Sequence, residues 1–158
     1  MWERLSTTHD VAVGCTSVRH AVTEISAFSG TWGLVYVPPM TTPSTHQGGC
    51  HCGAVRFRVE LDPAAPAITC NCSICGKSGS YLQFVPPTAF TLEQGEENLT
   101  DYQFNKKAIH HLFCRTCGIK SFARGVGPHG PMVAINVRTL DDVDTFTIPT
   151  QQFPGKNA

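Results

Sequence analysis

No stretch of this 158-residue sequence approaches the roughly 20 consecutive apolar residues of a membrane-spanning helix. Nor is there an excess of charge of either sign. Twelve Lys and Arg are matched by twelve Asp and Glu, which leaves no overall field to concentrate phosphate backbones or anionic lipid. Nucleic acid and membrane are therefore not expected as partners. The first residues lack the basic start, apolar run and small-residue cleavage site of a secretory signal. Glu3, Asp10 and Glu24, against Arg4 and Arg19, disfavour a transit peptide. Also missing are an internal repeat and any long amphipathic helical period. The expected compartment is the cytosol, with the eight cysteines reduced, metal-bound or both.

What the chain does contain begins late. Residues 1–39 hold no sustained period of 2 or 3.6, mix Gly, Ser and Thr with scattered apolar residues, and end in Val37-Pro38-Pro39. They are read as a poorly ordered extension, with Met40 a natural start and Cys15 a lone, incidental thiol. Residues 40–158 are read as one domain, long enough to bury roughly two-thirds of the unfolded surface. Val55, Phe57, Val59 and Leu61 alternate with Arg56, Arg58 and Glu60, the pattern of a half-buried strand. Further strands are expected at 68–70, 81–85, 88–92, 99–104, 108–113 and 132–137. A last one is expected at Thr145–Ile148, after a turn at Asp141-Asp142. The fold class is mainly β.

Seven of the cysteines fall into three groups. Cys50-His51-Cys52-Gly53 and Cys114-Arg115-Thr116-Cys117-Gly118 are pairs followed by glycine, which can take positive φ and let backbone N–H groups approach the sulfurs. A disulfide between Cys50 and Cys52 would close an unusually small, strained ring. The two pairs are thus expected to share one structural zinc through Cys50, Cys52, Cys114 and Cys117, the alternative being buried thiols or redox pairs. Four thiolates saturate a tetrahedral ion. Cys70-Asn71-Cys72-Ser73-Ile74-Cys75 must then hold a metal of its own, leaving a position open for chemistry, or stand as free thiols with a reversible Cys72–Cys75 disulfide.

The ordered motifs Gly49-Cys50-His51-Cys52-Gly53-Ala54-Val55-Arg56-Phe57, Cys70-Asn71-Cys72-Ser73-Ile74-Cys75, His111-Leu112-Phe113-Cys114-Arg115-Thr116-Cys117-Gly118-Ile119 and Asn136-Val137-Arg138 resemble the glutathione-dependent formaldehyde-activating enzyme family, which includes the centromere protein V relatives. The resemblance spans about Gln47 to Leu140. It implies an Mss4-like fold of short antiparallel strands with zinc knuckles and two zinc ions per chain. The structural ion falls on Cys50, Cys52, Cys114 and Cys117, and the second on Cys70, Cys72 and Cys75. Members often carry a basic residue directly after the third cysteine of the triple motif, where this chain has Gly76, with Lys77 one place later.

The activity implied is that of a carbon–sulfur lyase or synthase, joining a thiol such as glutathione to formaldehyde as S-(hydroxymethyl)glutathione. The alternative is a zinc-stabilised binding module of the same fold without turnover. Coordination to zinc would deprotonate the thiol and polarise the carbonyl. Lys77 and Arg138 are candidates for substrate carboxylates, against a surface or ion-pair role. His111 is a candidate proton carrier or donor to sulfur, against an ordinary structural hydrogen bond. His110 is expected to face solvent. His51 is a less favoured substitute ligand, and Phe84 and Tyr81 are possible pocket walls with core packing as their default. The oligomeric state is not legible.

Overall fold

The computed structural model describes residues 42–157. The proposed extension, with Cys15 and Met40, lies outside the described residues. Ten strands run in order: β1 Ser44–Gly49, β2 Arg56–Leu61, β3 Ala67–Cys70, β4 Leu82–Val85, β5 Phe90–Gln94, β6 Leu99–Tyr102, β7 Ile109–Cys114, β8 Phe122–Gly127, β9 Gly130–Asn136 and β10 Thr150–Phe153. Among the described residues one short α-helix, α1, covers Cys75–Ser78. The fold is mainly β, as expected.

Strands β1, β2 and β5 form a three-stranded sheet, and the order β10-β3-β4-β9-β8-β7-β6 forms a seven-stranded one. Neighbours are antiparallel except β10, which lies parallel to β3. Alternation decides which face of each strand is buried. On β2, Phe57, Val59 and Leu61 point into the core while Arg58 and Glu60 face water. Phe122 on β8 and Val133 and Ile135 on β9 join them from the larger sheet. Phe57, Phe90 and Phe122 meet with ring centroids 4.8–6.0 Å apart, tying the sheets through aromatic contact.

Four segments depart from the sequence reading, one of them β8, which the sequence does not announce because Ala123, Gly125 and Gly127 give it no apolar alternation. Thr145–Ile148 is a turn rather than a strand: Asp144 accepts from the Phe146 N–H through its side chain and from the Thr147 N–H through its carbonyl. This is the local hydrogen bonding by which Asp competes with a sheet ladder. The last strand comes after Pro149 instead, at β10. Strand β1 is polar in sequence, yet forms an edge because Gly48 lets the backbone approach the Phe57 ring, where a Cβ would clash.

Candidate metal centres and active site

Two equivalent turns build the first cluster, one from each sheet. Cys50 follows β1, with Cys50 N–H donating to the Val55 carbonyl and Gly53 N–H to the Cys50 carbonyl. Cys114 ends β7, with Cys114 N–H donating to the Ile119 carbonyl and Gly118 N–H to the Cys114 carbonyl. Gly53 and Gly118 sit at φ 78° and 74°, a region costly for residues with a Cβ. The Val55 N–H points at the Cys50 sulfur, 3.3 Å away. Cys50, Cys52, Cys114 and Cys117 bring their sulfurs within 4.8 Å of one another. Cys50 Sγ lies 3.5 Å from Cys52 Sγ, which lies 3.7 Å from Cys114 Sγ. Sulfurs bound 2.3 Å from a tetrahedral zinc sit about 3.8 Å apart, so the spacing suits such an ion and is far too long for disulfides.

The electrostatics of this cluster agree with its donor chemistry. The Ile119 and Cys52 N–H groups lower Cys117 to about 6. An Ala54 N–H pulls Cys52 down, but the Cys50 sulfur, burial and the Cys114 and Cys117 sulfurs outweigh it and push Cys52 up to about 12. Four crowded thiols cannot all ionise without a cation among them. His51 is exposed and stands outside the cluster.

The second cluster is local. Cys70 ends β3, Cys72 lies in the turn, and Cys75 opens α1, with the Gly76 N–H donating to the Cys72 carbonyl at 2.9 Å. The three sulfurs again lie within 4.8 Å of one another and could hold an ion. All seven cysteines among the described residues are free thiols. Burial pushes Cys75 up to about 12, with the Cys72 sulfur adding to it. Cys72 is also raised by burial, but the Cys75 N–H and the neighbouring thiols bring it below the ordinary thiol range.

These three thiols line a cavity of about 370 Å³, within the size range of small-molecule sites. It lies over the face of the seven-stranded sheet turned away from the core. The register sets His111, Ala123, Ala134 and Phe84 in one row across β7, β8, β9 and β4. All four residues line the cavity. His111 is buried, and among the described residues neither ring nitrogen has a hydrogen-bond partner. Its ring stacks on Phe104 at 5.4 Å. Burial first, and then the charge of Lys120, hold His111 below the ordinary imidazole range. His110 points the other way, exposed and paired with Asp101 at 2.7 Å.

Lys77 and Arg138, the cations expected at substrate carboxylates, are not among the lining residues. Lys77 is exposed on α1. Arg138 donates to the Gly79 carbonyl and lies over the Tyr81 ring, 5.1 Å from its centroid. Tyr81 does not line the cavity, whereas Phe84 does. Among the described residues the cations bordering it are Lys120 and Arg124, which the sequence reading did not single out, but Arg124 pairs with His110 on the other face of the sheet and sets its guanidinium over the core ring of Phe122, 5.6 Å from the centroid. Their signal was weak: isolated charges shortly after the second cysteine pair. Asn136 accepts from the Tyr81 N–H and donates to the Lys120 carbonyl, fixing the segment that carries Lys120.

A mainly β fold with a four-thiol knuckle cluster and a three-thiol cluster beside a cavity defines the class. Residues 45–155 match the model of the glutathione-dependent formaldehyde-activating enzyme family, and the chain belongs to that family. It is 44% identical over 79 residues to a Halomonas elongata protein named "Putative glutathione-dependent formaldehyde-activating enzyme", a match covering 45% of this chain and 50% of that protein. The match thus spans half the length of that relative. A crystal structure of a Rhodobacter sphaeroides protein superposes with a TM-score of 0.59 at 34% identity, covering 66% of this chain and 99% of that one. No helix among the described residues is long and apolar enough to cross a membrane.

Proposed function

We propose that the chain is a carbon–sulfur lyase that interconverts a thiol and an aldehyde with their adduct, glutathione and formaldehyde giving S-(hydroxymethyl)glutathione. The observation that carries this reading is the convergence of Cys70, Cys72 and Cys75 with His111 and Lys120 on one cavity. Cys50, Cys52, Cys114 and Cys117 would hold a closed structural zinc, and Cys70, Cys72 and Cys75 a second zinc. When bound by three thiolates, zinc keeps a coordination position for an incoming thiol, favours its ionised form and acts as a Lewis acid.

The chain's own residues supply the rest. Addition forms one carbon–sulfur bond, turns the carbonyl into an alcohol and moves the thiol proton to that oxygen, with no net oxidation. His111, kept neutral by burial and with both ring nitrogens unpartnered, has the capacity to accept that proton at one nitrogen and return it to the oxygen. Lys120 offers a cation for a carboxylate of glutathione. Ile68, Leu82 and Phe84 make apolar wall that keeps water from competing for the aldehyde. Ionised and metal-binding thiols need a reducing compartment, which supports the cytosol as the place of action.

The test is exchange spectroscopy at equilibrium, because the addition also proceeds without a catalyst. The zinc-loaded protein should speed exchange between formaldehyde plus glutathione and their adduct, and Cys72→Ser should abolish that while keeping the four-sulfur ion. No acceleration by fully loaded protein, with glutathione or any other small thiol, would replace this reading with a binding module of the same fold.

A further inference from the structure

We propose, resting on the thiol–aldehyde reading above, that this site prefers an aldehyde bearing an apolar substituent to formaldehyde itself. Formaldehyde has no side group to place and glutathione is polar along its length, so neither accounts for a broad apolar wall. The cavity extends from the thiols across the outer sheet face, over a floor made low by small residues. Ala123 pairs directly with Ala134 on β8 and β9, and Gly125 lies beside them opposite Met132. The cavity is also bordered by Phe84, Phe104, Ile109, Val126 and Phe153, five apolar residues more than a third exposed to water. Exposed large apolar residues scattered singly need no explanation, whereas a set converging on one cavity marks a binding surface. The three thiols, His111 and Lys120 make the polar part of its walls, while Arg124 borders it with its guanidinium turned onto the Phe122 ring. The arrangement matches a molecule with a polar, anionic thiol portion at one end and a hydrocarbon portion at the other.

The reaction balances as before: R–CHO and a thiol R′–SH give R′–S–CH(OH)–R, with the carbon–sulfur bond formed, the carbonyl π bond lost and the thiol proton on the oxygen. The substituent R lies over Ala123 and Ala134 and against Phe104, Ile109 and Val126.

Two measurements on the zinc-loaded full chain test this. The first uses inert thioethers and needs no turnover: S-hexylglutathione against S-methylglutathione by titration calorimetry. A buried methylene is worth about a factor of four in affinity, so half-burial of the five added methylenes predicts S-hexylglutathione binding about 30-fold tighter. Ala134→Leu, which raises the floor, should erase most of that ratio, and Val126→Asp at the exposed rim should reduce it if the first variant fails to fold. Equal affinities overturn the proposal, as does a ratio that neither variant changes. The second measurement follows exchange acceleration, relative to the uncatalysed rate, for formaldehyde, acetaldehyde, butanal and hexanal with glutathione. Acceleration should rise along the series. Acceleration that is constant or falls from formaldehyde onward overturns the proposal and leaves the lyase reading standing. Thioether discrimination without acceleration of any aldehyde supports the apolar site and defeats the lyase reading.

Discussion

Replacing Cys114 by serine should destabilise the domain far more than replacing Cys72, because the first metal site joins distant parts of the chain and the second does not. Cys52 and Cys114 are 62 residues apart and belong to turns from different sheets. A cross-link over such a loop removes about 4 kcal/mol of entropy from the unfolded chain. The triple-cysteine site links residues only a few positions apart, and logarithmic loop closure makes that link worth about 2 kcal/mol less. A domain of this kind is stable by roughly 5–15 kcal/mol in all. At about 4 °C per kcal/mol, Cys114→Ser should lower the melting temperature by about 15 °C, and by about 8 °C more than Cys72→Ser. Cys114 is also among the most deeply buried side chains, so its loss leaves a polar oxygen in the core beside three crowded thiols. Scanning calorimetry of zinc-loaded proteins under reducing conditions measures the difference. Equal falls, or a larger one for Cys72→Ser, would refute the division between a structural and a working site.

Gly155→Ala should remove or weaken metal at the triple-cysteine site alone, since a methyl there runs into the Cys70 sulfur; elemental analysis should find the four-sulfur ion retained. Zinc retention against a chelator should weaken as pH falls from 8 to 5. Loading must displace the proton held by Cys52, raised to about 12, and below about 6 that of Cys117 as well. The sign agrees for the metal-free fold: the depressed Cys117 favours folding above the ordinary thiol range, and that contribution fades as pH falls through 6. We also propose that a chain beginning at Met40 folds and binds metal as the full chain does; a large fall in melting temperature on truncation would show that the preceding residues contribute to the domain.

How much of this was legible in the sequence depended on which force placed each residue. Strand β2 was readable because burial on one face imposes strict alternation on Val55 to Leu61. The four-thiol cluster was readable because short spacing and a following glycine are needed locally, at Gly53 and Gly118, and the triple motif because its three thiols fall within six residues. Strand β10 was not, because all four of its side chains are exposed at a sheet edge, where no alternation is enforced. The cavity was hidden for a different reason. His111, Ala123, Ala134 and Phe84 converge through register between four strands, and no local pattern encodes that row. Lys120 was missed with it. Arg138 drew attention by its place in a family motif, but the structure sets it on Tyr81 and the Gly79 carbonyl.

The most direct test of the two-site account is the zinc content of the full chain, purified under reducing conditions, beside that of Cys72→Ser. The four-plus-three arrangement of sulfurs predicts two ions per chain in the first and one in the second, with the ion shared by three thiols exchanging faster because its coordination is incomplete. One ion per chain in folded, unoxidised wild-type protein, unchanged by Cys72→Ser, would contradict it.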